Sequence, residues 1–135
     1  MAESRYTILV CDDSPELVSG ITRLLRKVGY DVLEAFDGEQ AIQLLKVREV
    51  DAMLLDLQMP NIDGFGVLDY VQEHRQSLPV ILMSGMTPGE IRRGTGGLKT
   101  HTLPPLFFKP VNYNQVLDIL ELQLAGKMPP LAGGQ

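Results

Sequence analysis

Asp51-Ala-Met-Leu-Leu-Asp56-Leu-Gln-Met-Pro60-Asn-Ile-Asp-Gly64 is the stretch around which the chain is organised. Met53, Leu54 and Leu55 form a short apolar run bounded by turn residues, which predicts a strand covered on both faces. Asp56 stands at the carboxyl end of that strand. Met59-Pro60 stops regular pairing, because proline has no N–H to donate. Asn61, Asp63 and Gly64 supply turn chemistry. In an open parallel sheet, ligands gather outside the carboxyl ends of the strands, so Asp56 is placed to react. Taken alone, it reads equally as a turn aspartate capping the next helix.

Outward from this strand the same grammar repeats. Upstream, Tyr6 to Cys11 is rich in β-formers and ends on Asp12-Asp13. Ser14-Pro15-Glu16 then starts a helix, with serine as cap, proline in the first turn and an acid near the positive end. Leu17, Val18, Ile21, Leu24, Leu25 and Val28 recur at helical spacing up to a stop at Gly29. Asp31 to Ala35 is a second short strand. Asp37-Gly-Glu-Gln40 resembles a capping box and opens a helix carrying Ala41, Ile42, Leu44 and Leu45. The third strand runs from Val50 to Asp56, and the third helix from Gly64 to about Arg75. Downstream, Pro79 to Ser84 is a fourth strand, with proline at its first residue. Leu106 to Phe108 is a fifth, followed by Lys109-Pro110, and Asn112-Tyr-Asn-Gln115 starts the last helix. Phe107 and Phe108 read as strand core. Strands alternating with helices five times predict an α/β fold, a parallel sheet with helices on both faces. The fourth helix is expected to be one or two turns, frayed or replaced by loop. Gly85, Gly89, Gly94, Gly96 and Gly97 each weaken a helix by about 1 kcal/mol relative to alanine, and only Ile91 and Leu98 mark a core face.

The 135 residues fit one domain, expected over 1–125, with 126–135 as a flexible tail or linker rich in proline and glycine. A formal charge of −5 argues against contact with a nucleic-acid backbone. No apolar run approaches a membrane span, and the amino terminus has no secretory h-region. Cys11 is the single cysteine. It excludes an internal disulfide, fits a reducing cytoplasm, and reads as a buried thiol. His74 and His101 lack metal-ligand spacing and read as surface residues.

Four polar sites fall at predicted strand ends: Asp12 with Asp13, Asp56, Ser84 and Lys109. Neighbouring strands lie about 4.8 Å apart, so these residues can meet in one small cleft. Carboxylates held together raise one another's pKa unless a cation intervenes, and a hard divalent ion with oxygen ligands, Mg2+ above all, resolves the conflict. A lysine and a hydroxyl beside a carboxylate suit a phosphoryl group, and aspartate can carry one covalently. Separate turn acids and a surface lysine are the plainer alternative.

In that order, Asp12-Asp13, Asp56 with Met59-Pro60 and Asp63-Gly64, Ser84-Gly85 and Lys109-Pro110 resemble the receiver domain of two-component response regulators, over about Tyr6 to Ala125. The resemblance implies a flavodoxin-like (βα)5 three-layer sandwich with strand order 2-1-3-4-5. It implies that Asp56 accepts phosphate from a histidine kinase or histidine phosphotransfer protein. Mg2+ would be bound by Asp13, Asp56 and the backbone carbonyl of Gln58, with Asp12 acting mainly through metal-bound water. Ser84 would turn in toward the phosphoryl group, Lys109 would pair with it, and the Lys109–Pro110 bond would be cis. Such a protein is a phosphoacceptor rather than a turnover enzyme; the Pro/Gly tail would either end a stand-alone protein or begin a linker to an output domain beyond Gln135. The family usually places an aromatic three residues before the lysine; here Leu106 stands there, with Phe107 next to it as the other candidate for the output face. A receiver-fold binding module with weakened switching is the alternative. An aspartate-nucleophile phosphohydrolase would carry Asp-x-Asp after the first strand, where this chain has adjacent Asp12-Asp13. A flavin carrier would need a phosphate-binding loop there.

Overall fold

The computed structural model describes residues 5–95 and 104–126. The elements run β1 (Thr7–Cys11), α1 (Pro15–Lys27), β2 (Asp31–Ala35), α2 (Gly38–Val47), β3 (Ala52–Asp56), α3 (Gly64–His74), β4 (Val80–Ser84), α4 (Pro88–Thr95), β5 (Leu106–Phe108) and α5 (Tyr113–Ala125). The five strands pair in parallel in the order β2-β1-β3-β4-β5. Parallel neighbours require crossovers, and the helices supply them.

The three central strands are buried from end to end apart from the first residue of β1, which is why they read as apolar runs rather than alternating ones. Their side chains still divide by parity. Leu9, Met53, Leu55 and Leu82 pack with Ala41, Leu45, Val67, Leu68 and Val71 of α2 and α3, and with Ile91 of α4. Ile8, Val10, Leu54, Ile81 and Met83 pack with Val18, Ile21 and Leu25 of α1, and with Val116, Leu120 and Leu124 of α5. Each fully buried aliphatic side chain contributes about 1.5–3 kcal/mol, so these two layers fix the sheet and its carboxyl edge together.

Helix starts are anchored locally. Ser14 Oγ accepts from Leu17 N, Asp63 Oδ1 from Gly66 N, and Asn112 Oδ1 from Asn114 N and Gln115 N; each such cap stabilises by about 1 kcal/mol. The box at α2 is shifted by one residue: Asp37 Oδ1 accepts from Gln40 N, but Gln40 Oε1 accepts from Phe36 N.

Two packing expectations are corrected. Phe108 is 47% exposed rather than core. It shares strand parity with Leu106, on the face that α2, α3 and α4 cover, and among the described residues α4 is only two turns long with Ile91 as its buried side chain. Val28 is exposed because α1 ends at Lys27 and Val28 is its C-cap. Among the described residues the fourth helix spans Pro88–Thr95, two turns. Gly96, Gly97, Leu98 and His101 lie outside the described residues, as does the tail from 127. His74 is exposed.

Candidate functional site

The site is built where β1, β3, β4 and β5 end. Cys11 pairs with Leu55, so Asp12 emerges beside Asp56. Asp56 pairs with Met83, placing Ser84 one residue beyond. Lys109 N donates to Ser84 O at 2.8 Å, which ties the residue after β5 to the end of β4.

Asp12, Asp13 and Asp56 each offer a carboxylate oxygen, and these oxygens lie within 4.8 Å of one another. Asp12 and Asp56 are buried and Asp13 is exposed. Asp12 Oδ1 accepts from Ser14 N at 2.9 Å, and Asp56 Oδ1 from Gln58 N at 3.2 Å. Lys109 Nζ lies 2.8 Å from Asp12 Oδ2 and 3.5 Å from Asp56 Oδ2. Lys109 Nζ is thus the ion-pair partner of the buried Asp12 Oδ2, which among the described residues accepts no hydrogen bond from any other group.

Charge is therefore in excess on the acidic side. Burial, then the Asp12 carboxylate, push the Asp56 carboxyl up to about 6, against the Gln58 N–H and Lys109, which favour its ionised form. Burial works to lower the Lys109 pKa, but its bonds to Asp12 and the charge of Asp56 outweigh burial and hold it above the usual lysine range. A compact cluster of three acids, two of them buried and sharing one lysine, fits a hard divalent cation with oxygen ligands. Asp12, Asp13 and Asp56 are the side chains that can hold it.

Gly64 lets α3 begin directly under this site. A Cβ there would stand 2.2 Å from Asp56 O and 2.4 Å from Leu57 Cα, both backbone atoms. Elsewhere, an apolar groove of about 530 Å³ bounded by Leu68, Val71, Pro79 and Pro105 opens at the amino edge of the sheet, away from the acids.

The geometry matches a known pattern: a family model described as the response regulator receiver domain matches residues 8–120. The chain belongs to this family. Among curated relatives, the receiver is similar to response regulator GtcR of Aneurinibacillus migulanus, 37% identical over 78 residues, 58% of this chain and 32% of that protein. The chain spans about a third or less of the length of the curated relatives it matches. Among solved structures, the signal receiver domain of an HD domain-containing protein from Pseudomonas fluorescens Pf-5 matches with a TM-score of 0.78 at 26% identity, over 90% of this chain and 96% of that one. Response regulator protein TrrA from Thermotoga maritima, solved in complex with Mg(2+)-BeF, matches with a TM-score of 0.74 at 21% identity, over 87% and 98%, a likeness of fold.

Of the residues singled out in this receiver, the structure brings Asp12, Asp13, Asp56 and Lys109 into one cluster. Ser84 is buried at the adjacent strand end, its Oγ accepting from Met86 N at 2.8 Å. The Lys109–Pro110 bond is cis. Leu106 is half-buried against the α2, α3 and α4 layer, whereas Phe107 packs into the α1 and α5 layer, so the two output-face candidates point to opposite sides of the sheet. No helix among the described residues is long and apolar enough to cross a membrane.

Proposed function

We propose that this receiver takes a phosphoryl group from a histidine of a kinase or phosphotransfer protein onto Asp56, with Mg2+, and changes conformation in response. The observation that carries the reading is the convergence of Asp12, Asp13 and Asp56 within 4.8 Å, with Lys109 Nζ against two of them.

Asp56 is ionised above a pH of about 6, so its carboxylate oxygen is available as nucleophile near neutrality. It attacks phosphorus, the bond from phosphorus to the donor imidazole nitrogen breaks, and the electron pair returns to that nitrogen. Asp13, Asp56 and the Gln58 carbonyl would hold Mg2+ directly and Asp12 through water. Bound there, the ion supplies positive charge to the phosphoryl oxygens. Lys109 offers a second cation, already poised between Asp12 and Asp56.

The aspartyl-phosphate adds negative charge at the end of β3. Lys109 follows it, and the Ser84 hydroxyl exchanges its bond from Met86 N for one to the phosphoryl group. Because Lys109 N is bonded to Ser84 O, the two strand ends move as a unit, biasing the β4–α4 loop and β5. In longer relatives the receiver is one part of the chain, and an output segment beyond Gln135 belongs to this proposal, as does a cytoplasmic setting.

Incubation with acetyl phosphate and Mg2+ should add one phosphoryl group to the wild-type chain, seen by intact mass, and none to Asp56→Asn. Stable phosphate on the variant overturns the assignment. A binding module with weakened switching is the second reading, favoured by half-buried Leu106 and the two-turn α4. It predicts phosphorylation without a change in hydrogen exchange over β4–α4 and β5.

A further inference from the structure

The loop between β3 and α3 carries Gln58, whose N–H holds the Asp56 carboxylate. What holds that loop comes from a different part of the fold. Asp37, the N-cap of α2, uses both of its oxygens. Oδ1 accepts from Gln40 N at 2.8 Å and so starts α2, while Oδ2 accepts from Asn61 Nδ2 at 3.2 Å. Asn61 sits in the left-handed region, φ 66, a conformation that asparagine adopts far more readily than most residues. Next along the chain, Gly38 and Ile62 meet backbone to backbone: a Cβ on Gly38 would stand 1.9 Å from Ile62 O. Beneath them the buried Cys11 thiol spans the same two loops, 3.7 Å from Asp37 O and 3.3 Å from Met59 Sδ. The start of α2 and the loop after Asp56 are thus joined at three consecutive levels, side chain, backbone and sulfur.

We infer that Asp37 and Asn61 are positioning residues for the Asp56 site: their side-chain bond clamps the β3–α3 loop to the start of α2 and so fixes the Gln58 N–H against the phosphoacceptor carboxylate. The inference rests on the proposed function of Asp56. Neither residue touches the cation or the phosphoryl group; each acts through the loop backbone. Supporting groups one shell out from a metal site typically change affinity by 10- to 100-fold, and an exposed bond such as this belongs at or below the lower end.

The test exploits opposite signs. Asn61→Asp places a carboxylate against Asp37 and breaks the clamp by repulsion, yet it also adds a negative charge near a cation site. Long-range attraction alone would tighten Mg2+ binding; loss of the clamp weakens it. Mg2+ affinity is measured by calorimetry on the full chain, and backbone hydrogen exchange of residues 58–62 is measured on the same proteins without metal. The expected result for Asn61→Asp is about three- to tenfold weaker Mg2+ binding and faster exchange in the loop. The swapped pair Asp37→Asn with Asn61→Asp, which restores a donor–acceptor pair at unchanged net charge, should return both readouts to near wild type. Unchanged or tighter binding by Asn61→Asp, or a swapped pair no better than the single variant, overturns the clamp. Asp56→Asn is the control for the underlying reading: if it still binds Mg2+ like wild type, the assignment of the site fails rather than the clamp.

Discussion

Asp56→Asn should make the metal-free protein more stable, although it removes the proposed phosphoacceptor. Burial and Asp12 push the Asp56 carboxyl from 3.8 up to about 6. Each unit is worth 1.36 kcal/mol, so the shift corresponds to roughly 3 kcal/mol. The sign follows from proton binding. Between pH values of about 4 and 6 the folded chain holds more protons than the unfolded one, so stability falls as pH rises through that window, and the full penalty stands above it. Asparagine is neutral and nearly the same shape, so it removes the penalty. The figure is an upper one, because Asp56 lies beside exposed Asp13 rather than deep in the core. Urea unfolding in the presence of a chelator should place the variant up to about 3 kcal/mol above wild type near neutral pH, with an unchanged m-value, and the gap should close toward pH of about 4. Adding Mg2+ should raise wild type selectively, since only the carboxylate form gains from binding. Equal stability near neutral pH, or a gap that does not shrink on acidification, would refute the claim that the acids are in electrostatic conflict.

Lys109→Met should act in the opposite direction. It leaves Asp12 and Asp56 buried without their cation, which we expect to cost about 1–2 kcal/mol near neutral pH, less than for a fully buried pair because the lysine tip is partly exposed. Since the Lys109 pKa is raised in the fold, the contribution persists through neutrality and is lost only in alkali; chemical denaturation across that range checks it. Gly64→Ala should be among the most damaging single-methyl changes in the chain, about 3 kcal/mol or more, because the Cβ meets backbone atoms at 2.2 and 2.4 Å. Gly20→Ala in α1, where the new methyl would lie 3.4 Å from the Tyr113 hydroxyl, is the matched control, expected to gain up to about 1 kcal/mol. Thermal melting of the two variants side by side decides between them.

What was legible in the sequence follows its physics. Met53 to Leu55, Ile8 to Val10 and Ile81 to Met83 announced buried parallel strands because a strand covered on both sides admits no alternation. The carboxyl edge was then defined, and Asp12, Asp13, Asp56 and Lys109 fell on it with no further information. Phe108 misled because apolar character reports the tendency to be buried, not whether a covering element exists. On β5 the cover depends on α4, which among the described residues buries Ile91. Thr87-Pro-Gly-Glu90 carries a capping box that starts α4: Thr87 Oγ1 accepts from Glu90 N, and Glu90 Oε1 from Thr87 N. The Asp37–Asn61 bond had no sequence signal, because residues 24 positions apart become neighbours only after the sheet has formed. The output-face pair was a matter of parity. Leu106 and Phe107 are adjacent in sequence, and so lie on opposite sides of the sheet.

The lone sulfhydryl has a practical consequence. Cys11 is wholly enclosed at the end of β1, and burial together with the surrounding acids pushes its thiol far above the range in which it ionises. In the native protein it is shielded from alkylating reagents. A cysteine introduced on α4 or the β4–α4 loop would therefore take up a spectroscopic label at that position alone, without first deleting the natural one. Any label that does arrive at Cys11 would time the parting of the sheet.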